Sequence, residues 1–82
     1  MRTIMRQSAL EAATGFPKST TYYYIKHGLL PKPIKLGPRA VGFLSDEIEA
    51  VMNARIAGKS DAEIKTLVAG LEKQRSQEGS AE

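Results

Sequence analysis

FPKSTTYYYIKHGLLPKPIKLGPRAVGFL, residues 16–44, decides the fold through its punctuation. Pro17 suits the first position of a helix, because the N–H it lacks would be unpartnered there anyway. Lys26 and His27 place cations in a last turn, and Gly28 ends it. The residues between, three tyrosines and two threonines among them, are poor intrinsic helix formers. The start and stop signals outweigh them, so a short helix is expected. Pro31, Pro33 and Pro38 then exclude a helix. Ile34-Lys35-Leu36 reads as one strand, Gly37-Pro38-Arg39 as a turn and Val41-Gly42-Phe43 as the returning strand. A helix is therefore followed by a β-hairpin with a basic tip.

On the N-terminal side, Thr3-Ile4-Met5 reads as an edge strand. RQSALEAATG, residues 6–15, follows as a helix of about two turns, rich in alanine and stopped at Gly15. On the C-terminal side, Ser45 is placed to cap a third helix, with Asp46 and Glu47 in its first turn. Ile48, Val51, Met52 and Ile56 form its apolar stripe. Gly58 ends it, and Ser60 with Glu63 makes a capping box for a fourth helix over 61–74. Ile64, Leu67, Val68 and Leu71 give that helix an apolar face. It covers only two turns, less than a self-sufficient coiled coil needs. The face is therefore expected to pack on the third helix within one chain, leaving a monomer in solution, with a weak dimer or cooperative binding on DNA left open.

This order predicts a mainly α chain with a small hairpin: a winged helix-turn-helix with an extra C-terminal helix. Residues 1–74 read as one domain and 75–82 as a disordered polar tail.

The 82 residues contain no cysteine and one histidine, His27. That excludes disulfides, iron–sulfur clusters, thiolate zinc and multi-histidine metal sites. No apolar run approaches the roughly 20 residues of a membrane helix. A catalytic tyrosine of the recombinase kind would need Arg and His gathered round a phosphate, which so short a chain has no room to build. A non-enzyme without cofactor is expected. The charge is lopsided. Residues 1–44 hold seven basic residues and one acidic, net +6, and residues 45–82 hold five basic and eight acidic, net −3. A basic half joined to an acidic half suits an electrostatic binding face.

Each part of the basic half has a task under that reading. Lys18, Ser19 and Thr20, in the first turn of the second helix, suit base edges or phosphates. Lys26 lies on roughly the same face, and Tyr22 and Tyr23 carry hydroxyls for phosphate oxygens. Thr21 and Ile25 are expected inside with Tyr24 beside them. Lys35 and Arg39 of the hairpin suit the DNA backbone or a minor groove. The alternative for the helix pair is a plain αα-hairpin in a protein-interaction or antirepressor module, whose basic face would meet an acidic protein.

The stretch from Ser8 to Gly58 resembles the AlpA family of phage-derived regulators, within the MerR-like and excisionase-like winged-helix superfamily. The most specific segment is GLLPKPIKLGPRAVGFLSDEIEAVMNARI, residues 28–56. It is similar to the family's Pro-x-Pro-x-x-Leu-Gly, small basic turn, Gly-aromatic pair and acidic amphipathic helix. The resemblance implies DNA binding by Lys18, Ser19, Thr20, Tyr22, Tyr23 and Lys26 on the recognition helix and by Lys35 and Arg39 on the wing. It implies structural roles for Pro31, Pro33, Gly37 and Gly42. This chain departs from the family's usual residues at Pro17, Tyr23 and Val51. The implied function is transcription regulation of prophage or integrative-element genes, such as an integrase. The alternative is an excisionase-like directionality factor that bends attachment-site DNA. The implied partners are double-stranded DNA and an integrase or RNA polymerase, in the cytoplasm and away from membranes.

Overall fold

A computed structural model describes residues 3–80. The elements run β1 (Ile4–Met5), α1 (Gln7–Thr14), α2 (Lys18–Lys26), β2 (Ile34–Gly37), β3 (Ala40–Leu44), α3 (Ser45–Ile56) and α4 (Asp61–Ser80). Their kinds and order match the sequence reading.

The turn between α1 and α2 is three residues long and built by side-chain chemistry. Gly15 adopts φ 75°, and its N–H donates to the Glu11 carbonyl. Only glycine takes that left-handed conformation without strain. The Thr14 hydroxyl donates to the Leu10 carbonyl at 2.8 Å and accepts from the Phe16 N–H at 3.1 Å. Pro17 stands one residue earlier than expected, as the extended residue before α2, and its carbonyl accepts the Thr21 N–H. At the far end Gly28 has φ 74°, and the Leu29 N–H returns to the Tyr24 carbonyl at 2.8 Å. The chain thereby turns from α2 into the buried Leu29-Leu30-Pro31 segment.

The sheet is antiparallel with order β1-β3-β2. Ile4 pairs with Leu44, Met5 with Phe43, Ile34 with Gly42 and Lys35 with Val41; the register is irregular between Lys35 and Gly37. The expected edge strand is thus β1. The expected Ser45 cap is corrected: the cap position falls on Leu44, which has no side-chain oxygen to offer. The Ser45 hydroxyl accepts instead from the N–H and hydroxyl of Thr3, at 2.8 and 3.0 Å, and its own N–H donates to the Thr3 carbonyl. Ser45 thus extends the β1–β3 pairing into the start of α3.

The core joins Leu10 of α1, Leu29 and Leu30 after α2, Phe43 of β3, Ile48 and Val51 of α3, and Ile64 and Val68 of α4. Leu67, Leu71 and Met52 pack at its edge. The apolar face of α4 is therefore used within the chain. The Ser60–Glu63 capping box forms as expected, with Glu63 N–H donating to Ser60 Oγ at 3.2 Å and Ser60 N–H to Glu63 Oε1 at 3.1 Å.

Two further expectations fail. Ile56 was grouped with the apolar stripe of α3, yet it is 82% exposed. At about 100° per residue it stands roughly 80° from Ile48 and 140° from Val51, outside the buried stripe. The fourth helix also continues past Gln74 to Ser80, and its Arg75 is held by the contacts described below. Ala81 and Glu82, at the end of the expected polar tail, lie outside the described residues. Among the described residues no helix is long and apolar enough to cross a membrane.

Candidate nucleic-acid interface

The exposed side of α2 follows from which residues the core takes. Thr21 is fully buried, Ile25 and Tyr24 are partly buried, and they line the inner side. On the opposite side Lys18, Ser19, Tyr22, Tyr23 and Lys26 are all exposed. At about 100° per residue these five span an arc of roughly 140°, a single face of one helix. Thr20 falls about 60° outside that arc by the same geometry and is half-buried beside Tyr24. The structure thus brings five of the six α2 residues onto one face and turns Thr20 to its flank.

The aromatic residues of α2 divide as expected. Tyr22 and Tyr23 are 38% and 58% exposed, and Tyr24 packs against the core. The rings of Phe16 and Tyr24 have centroids 5.1 Å apart, those of Tyr23 and Tyr24 5.8 Å, and those of Tyr23 and His27 4.2 Å. These ring contacts hold Tyr23 between Tyr24 and His27 while more than half of it stays exposed. The guanidinium of Arg55, from the last turn of α3, sits 4.7 Å from the Tyr24 ring centroid. Such cation–π contacts strengthen when desolvated. Arg55 therefore ties α3 to the back of α2. Its Nε and Nη2 are buried without a hydrogen-bond partner, as is the hydroxyl of Thr21.

The hairpin carries the second cation group. Lys35 pairs with Val41, two residues from Phe43, so it stands on the sheet face that also bears the core. Arg39 is exposed in the two-residue turn between β2 and β3. Lys32, exposed in the linker between α2 and β2, adds a cation that the sequence reading counted only in the net charge. Residues 12–45 contain five cations and no carboxylate, so nothing on α2 or the hairpin opposes an approaching polyanion.

Glu47, in the first turn of α3, is 2% exposed. Its carboxylate is held by Arg75: Arg75 Nε donates to Glu47 Oε2 at 2.8 Å, and Nη2 donates to Glu47 Oε1. Arg75 Nη2 also donates to the Lys32 carbonyl at 2.7 Å. Sequence reading missed this pair. Glu47 looked like a solvated partner for the helix dipole, and Arg75 fell in the expected tail. A cavity of about 290 Å³ between β1, α1 and α3 is lined by Met5, Ala13, Ser45, Ile48, Glu49, Met52 and Asn53. Among the described residues its wall holds no cation, and none of its lining residues belongs to α2 or the hairpin. Among the described residues no group of three or more metal-ligating side chains occurs.

Two helices about a tight turn, a basic hairpin following the second of them, and a third helix tied to the second through Arg55 and Tyr24 define a winged helix-turn-helix protein. Residues 3–56 match the family described as Prophage CP4-57 regulatory protein (AlpA). The chain belongs to that family of prophage regulators, a kind of protein that is not generally enzymatic. No curated protein and no solved structure matches it.

Proposed function

We propose that this chain is a sequence-specific DNA-binding protein that regulates transcription of prophage or integrative-element genes. In this reading α2 enters the major groove of double-stranded DNA. Ser19 meets base edges there, and Lys18, Lys26, Tyr22 and Tyr23 hold the flanking phosphates. Thr20, turned to the flank, supports the helix rather than reading bases. The hairpin lies along the neighbouring backbone through Lys35 and Arg39. The residues through Arg75 act as one DNA-binding unit in the cytoplasm, without a cofactor. The chain is a monomer in solution, since α4 spends its apolar face on α3. On DNA it regulates through access of RNA polymerase to the promoter of a gene such as an integrase.

One observation carries this reading. The exposed face of α2 and the hairpin present cations and hydroxyls in a span of 34 residues that holds no carboxylate.

Fluorescence anisotropy on a duplex from the chain's own upstream region, repeated over a salt series, tests it. For about four phosphate contacts, log K should fall against log salt with a slope of roughly −3.6. A flat dependence, with binding to an acidic protein instead, would transfer the basic face to a protein-interaction module. Footprints confined to an attachment site, accompanied by DNA bending, would make the protein an excisionase-like directionality factor.

A further inference from the structure

We infer that the C-terminal part of α4 is a clamp that sets the angle of the hairpin against α2, with Glu72 and Arg75 as positioning residues for DNA binding. The inference rests on the proposed DNA-binding role for its functional consequence, though not for the clamp itself. Both backbone polar groups of Lys32 are taken by α4. The Lys32 N–H donates to Glu72 Oε2 at 2.8 Å, and the Lys32 carbonyl accepts from Arg75 Nη2 at 2.7 Å. An exposed linker residue would ordinarily leave both groups to water. Here two side chains one helical turn apart hold the two successive peptide units that flank the Lys32 Cα.

The grip is anchored at its other end. Arg75 also binds the buried carboxylate of Glu47 through Nε and Nη2, so its planar guanidinium cannot rotate away without leaving a buried charge unpaired. The linker before Lys32 is fixed separately, by burial of Leu30 and Pro31 in the core. Beyond Lys32 the chain enters β2, an edge strand with only β3 beside it. The hairpin is thus held at two places, through β3 by its pairing with β1 and the burial of Phe43, and at the entry to β2 by Lys32, which fixes the side of the hairpin nearer α2. Glu72 and Arg75 lie beyond residue 56, where the family match ends, so the clamp belongs to this chain's own C-terminal helix.

The sign of one substitution separates positioning from simple charge. Glu72 is a carboxylate beside a cationic surface. Were it only a neighbouring charge, its removal would strengthen binding to DNA. As a clamp, its removal weakens binding. Arg75→Ala is a poor test, because stranding Glu47 threatens the fold; Glu72→Ala leaves Glu47 paired. In the full chain, the Glu72→Ala change should speed hydrogen exchange at the Lys32 amide and weaken DNA binding roughly three- to tenfold, the factor one hydrogen bond's net contribution converts to. The salt slope should become shallower by less than about one unit, since the phosphate contact of Arg39 is weakened and the others are kept. The loss caused by Arg39→Ala should shrink in the Glu72→Ala background, whereas that of Lys26→Ala should not. Glu72→Gln, whose amide oxygen still accepts from Lys32, should restore both exchange protection and affinity. Unchanged or tighter DNA binding by Glu72→Ala, with wild-type binding intact, overturns the positioning role. Failure of the wild type to bind DNA overturns the proposed function instead, and the Lys32 exchange rate then decides the clamp alone.

Discussion

Gly42 occupies the middle of β3, where β1 and β2 close over it from both sides. A Cβ built there would stand 2.5 Å from Ile4 Cγ2, 3.0 Å from Leu36 Cδ1 and 3.4 Å from the Met5 carbonyl oxygen. The last is ordinary contact. The first requires Ile4 to move by about 1 Å, since packed carbons sit at ≈ 3.5–4.0 Å. Ile4 is 52% exposed, so its side chain has solvent to move into, but pairing with Leu44 and the neighbouring Thr3–Ser45 bonds hold its backbone. Overpacking of this kind costs about 1–3 kcal/mol. Replacing a strand glycine by alanine returns about 0.5–1 kcal/mol of backbone entropy. Gly42→Ala should therefore destabilise by about 1 kcal/mol, lowering the melting temperature by about 4–8 °C. In an Ile4→Ala background only the milder approach to Leu36 at 3.0 Å is left, which that exposed side chain relieves by shifting a few tenths of an ångström, and the same change should be neutral to stabilising by up to about 0.5 kcal/mol. Denaturation of the four proteins in the cycle, followed by circular dichroism, reads the sign directly. If Gly42→Ala has the same effect whether residue 4 is Ile or Ala, the collision is not what reserves position 42 for glycine.

Two further outcomes follow from the site and from the start of α4. Ser19→Ala should cost about 1 kcal/mol on a cognate duplex and little on an unrelated one, whereas Thr20→Ala should change neither; Arg39→Ala should weaken both duplexes alike and shallow the salt slope by about one unit, and the reverse pattern in binding titrations would make the hairpin the reader. Hydrogen bonds from the Ser60 backbone and hydroxyl, with a smaller contribution from Lys59, hold the Glu63 carboxyl below its usual 4.5. A depressed carboxylate stabilises the fold above its unfolded pKa and loses that contribution as pH falls through the folded value. The acid limb of stability below pH 4.5 should therefore be shallower in Ser60→Ala than in the wild type, and identical limbs in acid titrations of the two proteins would contradict the capping role.

Local signals made much of this fold legible. Gly15, Gly28 and Gly58 all adopt positive φ where helix ends were expected, and the three prolines between Pro31 and Pro38 confine the non-helical segment. Such signals act within a few residues, so the sequence displays them in place. What escaped depends on distance. Arg75 meets Glu47 across 28 residues and Lys32 across 43. No spacing rule connects such positions, and each of them alone resembles a solvated surface charge. Arg55 is similar: a cation in a last helical turn suggests a partner for the dipole, while its ring partner Tyr24 is known only once α2 and α3 are packed. Ile56 failed for the opposite reason. Its spacing fits a helical stripe loosely, and the inner side of that last turn is occupied by Ala54 and Arg55.

The division of the core between α3 and α4 bears on how the protein can be dissected or transplanted. Ile64 and Val68, each almost wholly buried, belong to the same apolar cluster as Ile48, Val51 and Phe43. A fragment cut at Ile56, the natural boundary if sequence similarity alone guided the cut, would open that cluster to water. Losing two aliphatic side chains from a core costs about 2–5 kcal/mol each, comparable to the whole stability of a domain this size. A chimera that borrows α2 and the hairpin to redirect another regulator would therefore need α4 carried along, or a substitute surface supplied by the host. The smallest portable unit is set by the roof over Val51, not by the residues that face DNA.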